Sequence, residues 1–281
     1  MIHEYKELKY YGEVVFNKLV ITAPERELKV FKDDEACFMF VDKGNFSVRT
    51  PEELISLKEG KGLLAKCFNF FVETTKEQRT EDNIMEVLGV YLFPSMVEEL
   101  LEIDLSQSNY SLPYNYRQVQ IDSLLDHYKD GISILLDNPE IADEAIIKTK
   151  LKEFILLISK MENAQSTIDF LSGMFRTNAM EFKSTIANNL YSNLSIEEFA
   201  ILCGMSTSSF KRKFSTVYNE SPKKYLAKMK LQRASKLLSA HDHRISDIAY
   251  ECGYETISTF NRSFKAHFGQ SPSDYRLSHS A

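Results

Sequence analysis

The sequence lacks any long apolar stretch. Its apolar stretches, such as residues 37–41 and 68–72, are far shorter than the roughly 18 residues that a membrane-spanning helix needs. The N-terminus has no basic segment followed by an apolar run, which is the pattern of a signal peptide. We therefore expect a cytoplasmic protein without a membrane partner.

Cysteine and histidine are too sparse to indicate a metal site. The cysteines lack CxxC spacing, so we expect buried free thiols rather than a zinc ribbon or a redox pair. The first hundred residues contain a single histidine, His3, whereas metalloenzyme barrels need several His and carboxylate ligands. We interpret His241-Asp242-His243 as a polar connector in a loop, and we expect no cofactor. The four cysteines are Cys37, Cys67, Cys203 and Cys252.

Charge is distributed unevenly along the chain. With 281 residues, of which 43% are apolar, the chain can form packed cores in two domains. Residues 176–281 contain 15 Lys and Arg against 9 Asp and Glu, a net charge of +6, whereas residues 1–175 contain 19 against 31, a net charge of −12. A basic domain attracts nucleic-acid phosphates, and an acidic neighbour limits indiscriminate binding to them. Two independently solvated surfaces would show the same asymmetry, so charge alone assigns no partner.

Residues 1–112 are predicted to form a small antiparallel β-sandwich or barrel. Short apolar runs at residues 14–21 and 67–72 are set apart by glycine and proline, as strands are by turns. Residues 36–41 form a continuous apolar run, and the pattern resumes after the turn signal Lys43-Gly44-Asn45. This arrangement predicts a β-hairpin.

Residues 113–175 are predicted to be helical, because the apolar period changes from two to about 3.6 from Tyr116 onward. The first helix is predicted around residues 121–135 and ends at Asn138-Pro139, and a second begins at about Ile141. Apolar residues cover more than half of the second helix, which indicates burial on two sides. Either one side binds a second subunit, giving a homodimer, or both helices cover the open face of the sheet.

Residues 176–281 contain an internal repeat, which is the strongest signal in the sequence. Residues 196–204 match residues 245–253 at an offset of 49, and residues 210–225 match residues 260–275 at an offset of 50. The second copy therefore has one additional residue between its two halves. The shared residues are Ile196 and Ile245, Ala200 and Ala249, Cys203 and Cys252, Gly204 and Gly253, Phe210 and Phe260, Arg212 and Arg262, Phe214 and Phe264, Ser221 and Ser271, Pro222 and Pro272, and Tyr225 and Tyr275.

Each copy has the pattern of a helix, a sharp turn and a second helix. Ser195 is a predicted N-cap of the first helix, and Ser206 and Thr256 are predicted N-caps of the second helices. Gly204 and Gly253 lie where a helix ends in a left-handed residue, a conformation that costs glycine no steric penalty. The paired phenylalanines anchor the second helix of each copy and leave its other side facing outward. The outward residues are Lys211, Arg212, Asn261 and Arg262.

This pattern is that of a helix-turn-helix. Such a unit sets its second helix into the major groove, where an arginine can donate two hydrogen bonds to guanine. A pair of ordinary solvated hairpins is the alternative interpretation of one copy. Two copies, each with an outward arginine two residues after its first phenylalanine, favour double-stranded DNA as the partner.

A further helix is predicted between the two copies, beginning at Ser221-Pro222 and ending at about Leu238. A straight helix of about 17 residues is roughly 25 Å long, so it could hold two recognition helices about one duplex turn, some 34 Å, apart. Its predicted inner face comprises Ala227, Leu231, Ala234 and Leu238. Its basic residues, predicted to be outward, are Lys223, Lys224, Lys228, Lys230, Arg233 and Lys236.

Residues 177–277 resemble the DNA-binding domain of the AraC/XylS family of bacterial transcription regulators, most specifically at Cys252–Phe264 and His267–Tyr275. The resemblance implies seven helices, two of which read DNA, and activation of transcription through contact with RNA polymerase. Residues 1–175 are similar in their order of elements to the cupin-type sensor and dimerisation domain that often precedes this domain. The implied chain is α+β, with a cupin-like β domain, two following helices and an all-α domain, and it is controlled by a small ligand or a protein partner.

The resemblance also implies which residues face DNA bases. Lys228 of the connecting helix is expected near a phosphate. Ile257 stands where the family more often has a polar residue, so it either contacts a thymine methyl group or makes no base contact. The implied base-facing residues are Ser208, Lys211 and Arg212 in the first unit, and Ile257, Ser258, Thr259, Asn261 and Arg262 in the second.

Two other classes of protein are alternatives to a transcription regulator. One is an enzyme with a DNA-binding appendage, because some relatives of this domain are fused to methyltransferases with a reactive cysteine. The low histidine content and the helix-end positions of Cys203 and Cys252 favour simple packing instead, so we expect no enzyme. The other is an architectural DNA-bending protein, against which the large acidic N-terminal domain argues.

Overall fold

The computed structural model describes residues 1–29, 35–66, 69–161, 166–175, 182–240 and 243–279. Its contacts divide the chain into two compact units. We call them the N-terminal unit, residues 1–50 and 54–179, and the C-terminal unit, residues 51–53 and 180–281. Among the described helices, none is long and apolar enough to cross a membrane.

The N-terminal unit contains two antiparallel sheets. Their strands are β1 Ile2–Tyr10, β2 Glu13–Thr22, β3 Arg26–Lys29, β4 Ala36–Lys43, β5 Asn45–Arg49, β6 Leu54–Lys58, β7 Lys61–Ala65, β8 Phe70–Glu73, β9 Ile84–Leu92 and β10 Tyr116–Gln120. The larger sheet has the order β1-β2-β9-β4-β7-β10, and the smaller sheet has the order β3-β8-β5-β6. The two sheets enclose one core, and the other face of the larger sheet carries the helices.

The central strand β4 of the larger sheet is buried on both faces. In β4, Phe38 and Phe40 belong to the core shared with the helices, whereas Cys37 and Val41 belong to the core between the sheets. A strand that is buried on both sides needs no polar residue at alternate positions. This is why β4 is a continuous apolar run in the sequence.

Four helices complete the described part of the N-terminal unit. Asp122 caps α2, because its carboxylate accepts two backbone N–H groups at the start of that helix. Phe154 of α3 is fully buried, and its ring centroid lies 5.5 Å from the Phe38 ring and 5.5 Å from the Tyr128 ring of α2. One side chain therefore joins two helices to the sheet. The helices are α1 Pro94–Leu101, α2 Ser123–Asp137, α3 Glu144–Met161 and α4 Thr167–Met174.

The predicted α+β class and the sandwich are confirmed, and the described strands do not close into a barrel. The predicted hairpin at residues 36–48 is wrong, because β4 pairs with β7 and β9 while β5 pairs with β6 and β8. Gly44, at φ +108°, turns the chain from the larger sheet into the smaller one. A turn signal indicates a change of direction but not which strand becomes the neighbour.

The boundary near Tyr116 was also predicted incorrectly. Residues Tyr116–Gln120 form β10, which pairs with β7 at the edge of the larger sheet, and helix α2 begins only at Ser123. The second predicted helix, α3, begins at Glu144 instead of Ile141. Helix α1 was not predicted from the sequence. Of the predicted strand at residues 67–72, the first two residues lie outside the described ranges, and the rest belongs to β8.

The described part of the C-terminal unit contains seven helices, the number implied by the family resemblance. The longest, α8, contributes to the core of the second repeat copy through Leu231, Ala234 and Leu238. The helices are α5 Phe182–Asn188, α6 Ile196–Leu202, α7 Thr207–Tyr218, α8 Pro222–Ala240, α9 Ile245–Glu251, α10 Ile257–Phe268 and α11 Pro272–His279.

Candidate DNA interface

The first repeat copy folds into a helix-turn-helix made of α6 and α7. Ser195 caps α6 in a capping box: its Oγ accepts the Glu198 N–H at 3.1 Å, and the Glu198 carboxylate accepts the Ser195 N–H at 2.7 Å. Gly204 ends the first helix at φ +62°. Ser206 then caps α7, because its Oγ accepts the Ser209 N–H at 3.3 Å. The predicted caps and turn of this copy are confirmed.

The second copy repeats the arrangement with α9 and α10. Gly253 adopts φ +77°, and the Thr256 Oγ1 accepts the Thr259 N–H at 3.2 Å to cap α10. The additional residue predicted for this copy lies in the turn between Gly253 and Thr256. Arg244 occupies the N-cap of α9 without a side-chain cap bond, which distinguishes this copy from the first.

Two phenylalanines fix the rotation of each recognition helix, α7 and α10. Phe210 and Phe214 are fully buried with ring centroids 5.6 Å apart, and Phe260 and Phe264 are fully buried with centroids 5.5 Å apart. Since residues four apart lie on one face of a helix, the opposite face of α7 and of α10 is directed away from the core.

All eight predicted base-facing residues are exposed on these two helices. Within the described residues, Arg212 and Arg262 have no side-chain hydrogen-bond partner, so both guanidinium groups are available. Thr259 also faces the connecting helix, since it lines a groove with Leu226 and Lys223 of α8. Ile257 is 38% exposed at the start of α10. Lys265 is also exposed on α10, seven residues after Ser258, and was not among the predicted base-facing residues.

Helix α8 differs from its prediction in two respects. Ala227 is exposed while Leu226 is buried, because the inner face of the helix changes from the first copy to the second along its length. Lys230 is not an outward cation: its Nζ donates to the carbonyls of Ser192 and Gly253. Lys228 lies 3.3 Å from the Glu220 carboxylate, which partly neutralises it. Lys223, Lys224 and Lys236 remain exposed.

The cysteines of the C-terminal unit, Cys203 and Cys252, do not have the properties of reactive thiols. Burial raises the pKa of Cys203 and of Cys252 to about 11, so both thiols stay protonated near neutral pH. Cys252 is fully buried as predicted, whereas Cys203 is partly exposed. Among the described residues no group of three or more His, Cys, Asp and Glu side chains could hold a metal ion. His241 and Asp242 of the predicted connector lie outside the described ranges.

Two family models match this chain. A model described as "Helix-turn-helix domain", of the AraC type, matches residues 199–278, and one described as "ExsA N-terminal regulatory domain" matches residues 36–170. Residues 199–278 therefore belong to the AraC-type helix-turn-helix domains. The first match includes both recognition helices, and the second includes most of the two sheets and α1–α3.

Several curated relatives are similar to this chain. The virulence regulon transcriptional activator VirF of Yersinia enterocolitica is 21% identical over 255 residues, covering 89% of this chain and 92% of VirF. The thermoregulatory protein LcrF of Yersinia pestis is 26% identical over the same shares of the two chains. The regulator ExsA of Pseudomonas aeruginosa is 25% identical over 127 residues, covering 45% of this chain and 46% of ExsA. VirF and ExsA are named as transcription regulators and not as enzymes.

Proposed function

We propose that this chain is an AraC-family transcription regulator that reads two successive major grooves of one DNA segment and activates transcription under the control of its N-terminal unit. The observation that carries this proposal is the equivalence of Arg212 and Arg262. Each is exposed on a capped recognition helix whose rotation is fixed by two buried phenylalanines. Helix α8 connects the two copies and, with 19 residues, is roughly 28 Å long. This length is compatible with the roughly 34 Å repeat of the major groove.

Arg212 and Arg262 are proposed to contact guanine, because a guanidinium group donates two parallel hydrogen bonds to the guanine edge. The other proposed base contacts of the first helix-turn-helix unit are made by Ser208 and Lys211. The shorter side chains of the second unit, Ser258, Thr259 and Asn261, suit contacts close to its helix axis, and Ile257 suits a thymine methyl group.

Phosphate contacts are proposed for the lysines of α8. Lys228 belongs to the basic set of the connecting helix and is expected near a phosphate. Binding a phosphate in place of Glu220 would cost it one intramolecular ion pair. Lys223 and Lys224 are exposed at the start of the same helix without this competition. Such contacts orient the protein on the duplex but carry no sequence information.

Residues 113–175 are proposed to form the homodimer interface. On α2, Leu124 is 59% exposed and Ile134 is 60% exposed, and on α3, Leu156 is 50% exposed. Exposed aliphatic residues on neighbouring helices favour burial against a second copy. Because the relative VirF is named an activator, we propose that this regulator also activates transcription, by contact with RNA polymerase.

Control by a small ligand or by a protein partner is proposed for residues 1–112. A cavity of about 310 Å³ lies between the two sheets, lined by apolar side chains such as Met39 and Met85 and by the polar groups of Tyr91 and Asn17. This volume is at the lower end of the range for small-molecule sites. A protein partner would instead bind the surface of this region and leave the cavity unfilled.

The two-groove proposal is tested by selecting duplexes from a random library with the full-length chain. We expect two conserved half-sites separated by about one helical turn, roughly 10 base pairs. Selected duplexes with one half-site, or with no shared sequence, would contradict the proposal. A thermal-shift screen of small apolar ligands, repeated with Met85→Trp to fill the cavity, would separate ligand control from partner control.

A further inference from the structure

Lys230 occupies the middle of α8, where this helix passes between the two helix-turn-helix units. Its Nζ donates one hydrogen bond to the Ser192 carbonyl at 3.1 Å and another to the Gly253 carbonyl at 2.8 Å. Ser192 lies three residues before the N-cap of α6, and Gly253 is the turn residue of the second unit. A single ammonium group of the connecting helix therefore bonds both to the turn of the second unit and to the segment that leads into the first unit.

The position of Lys230 is unusual for a lysine in a basic helix. Its side chain is half-buried, and burial lowers its pKa, whereas Lys236 on the same helix is exposed. A cation that loses water needs hydrogen-bond acceptors in exchange. The two carbonyl groups supply them only while both units keep their positions against α8.

Gly253 lies in direct contact with the segment that leads into the first unit. A Cβ atom on Gly253 would lie 2.3 Å from the Tyr191 carbonyl oxygen and 2.9 Å from the Lys230 Nζ. Gly204, the equivalent residue of the first unit, has the same left-handed conformation, but none of the described residues beyond its chain neighbours has an atom within 4 Å of such a Cβ. The turn explains why both residues are glycine, but only Gly253 is also required by the close approach of Tyr191.

Arg233, one turn after Lys230, makes a second connection of the same kind. Its guanidinium carbon lies 4.2 Å from the Tyr191 ring centroid, and its Nη2 lies 2.7 Å from the Glu251 carboxylate. Tyr191 precedes the first unit and Glu251 ends α9 of the second. We call these residues the inter-unit junction: Tyr191, Ser192, Lys230, Arg233, Glu251 and Gly253.

We propose that the inter-unit junction fixes the relative placement of the two recognition helices and thereby sets the half-site spacing that the protein accepts. The inference rests on the proposed reading of two grooves. One base pair inserted between half-sites moves the second by about 3.4 Å along the duplex and by roughly 34° around it. If the junction holds the two recognition helices in place, the protein binds a duplex with this displacement more weakly. If α8 alone joined them, the helices could adjust and the affinity would change little.

The test uses the full-length chain, the duplex selected from the random library, and two versions with one base pair added or removed between the half-sites. Lys230→Met keeps the aliphatic stem and removes both hydrogen bonds. Lys236→Met removes the same charge from an exposed position of the same helix. Discrimination is the ratio of the affinity for the selected duplex to the affinity for a duplex of altered spacing. We expect this ratio to be about tenfold smaller for Lys230→Met, which corresponds to 1.4 kcal/mol. We expect Lys236→Met to retain the discrimination of the unmodified chain.

A pair of glycine variants gives an independent test of the same proposal. Gly204→Ala and Gly253→Ala both place alanine in a left-handed conformation, so both lower the stability. Only Gly253→Ala displaces Tyr191, and only this variant is expected to relax the spacing preference. A uniform loss of affinity at all three spacings for Lys230→Met would overturn the proposal and leave the two-groove function intact. A selected duplex without two half-sites would overturn both.

Discussion

Replacing Arg262 by alanine tests whether the second recognition helix reads bases directly. The side chain is exposed on α10, and among the described residues it has no hydrogen-bond or ion-pair partner that alanine would remove. The free energy of unfolding should therefore change by less than about 0.5 kcal/mol. A two-bond contact with guanine contributes about 1 to 3 kcal/mol of discrimination. That range corresponds to a loss of affinity of about 5- to 150-fold.

The assay is a set of binding titrations on the selected duplex and on its single-base variants at several salt concentrations. For Arg262→Ala we expect weaker binding to the selected duplex and relaxed preference at one base pair. Lys228→Ala is the comparison, and it should weaken binding to all sequences equally and make the slope of log affinity against log salt shallower by up to about one unit. Since Lys228 already pairs with Glu220, Glu220→Gln should strengthen binding to all sequences.

Unchanged base preferences in Arg262→Ala would refute direct readout by α10. Sequence recognition would then belong to the first unit, where Lys211 and Arg212 are the next residues to replace. A fall in affinity that disappears at high salt would likewise identify Arg262 as a phosphate contact, because screening weakens the attraction of a phosphate but not the preference for one base.

Three further predictions concern autonomy, assembly and stability. Residues 176–281 should fold alone and select a DNA sequence, and a folded fragment without sequence preference would contradict specific recognition by this domain. The full-length chain should be a dimer in light scattering, and Leu124→Ser combined with Ile134→Ser should make it a monomer, whereas Leu277→Ser, at a residue 82% exposed in the C-terminal unit, should not. A monomeric unmodified chain at tens of micromolar would refute the interface. Ser195→Ala should lower the free energy of unfolding by about 1 kcal/mol in urea, because it removes the cap of α6, and an unchanged midpoint would show that the cap is dispensable.

The helix-turn-helix units could be predicted from the sequence because their determinants are local. The Ser195 cap, the left-handed Gly204 and the buried Phe210 each depend on residues within one or two helical turns, and the repeat presents each pattern twice. Local hydrogen bonding and helical periodicity can be predicted from a sequence more directly than contacts between distant residues.

The features that were missed depend on distant partners. The carbonyls that bind Lys230 are 38 and 23 residues away in sequence, and nothing near Lys230 distinguishes it from the other lysines of α8. Gly44 has the sequence context of a hairpin turn, but the strands on either side of it join different sheets. The edge strand β10 has only two buried residues in five, too weak an alternation to separate it from the helix that follows.

The two recognition helices have equivalent backbones but different side chains. The two ends of the proposed DNA-binding surface of one protein molecule are therefore not equivalent. Lys211 and Asn261 occupy matching positions beside the shared arginines. We therefore expect the DNA site of one protein molecule to be asymmetric, so that a search for inverted repeats within the length of one such site would overlook it. Turning such a site end for end, without changing a single base within it, would exchange which helix lies nearer the start of transcription.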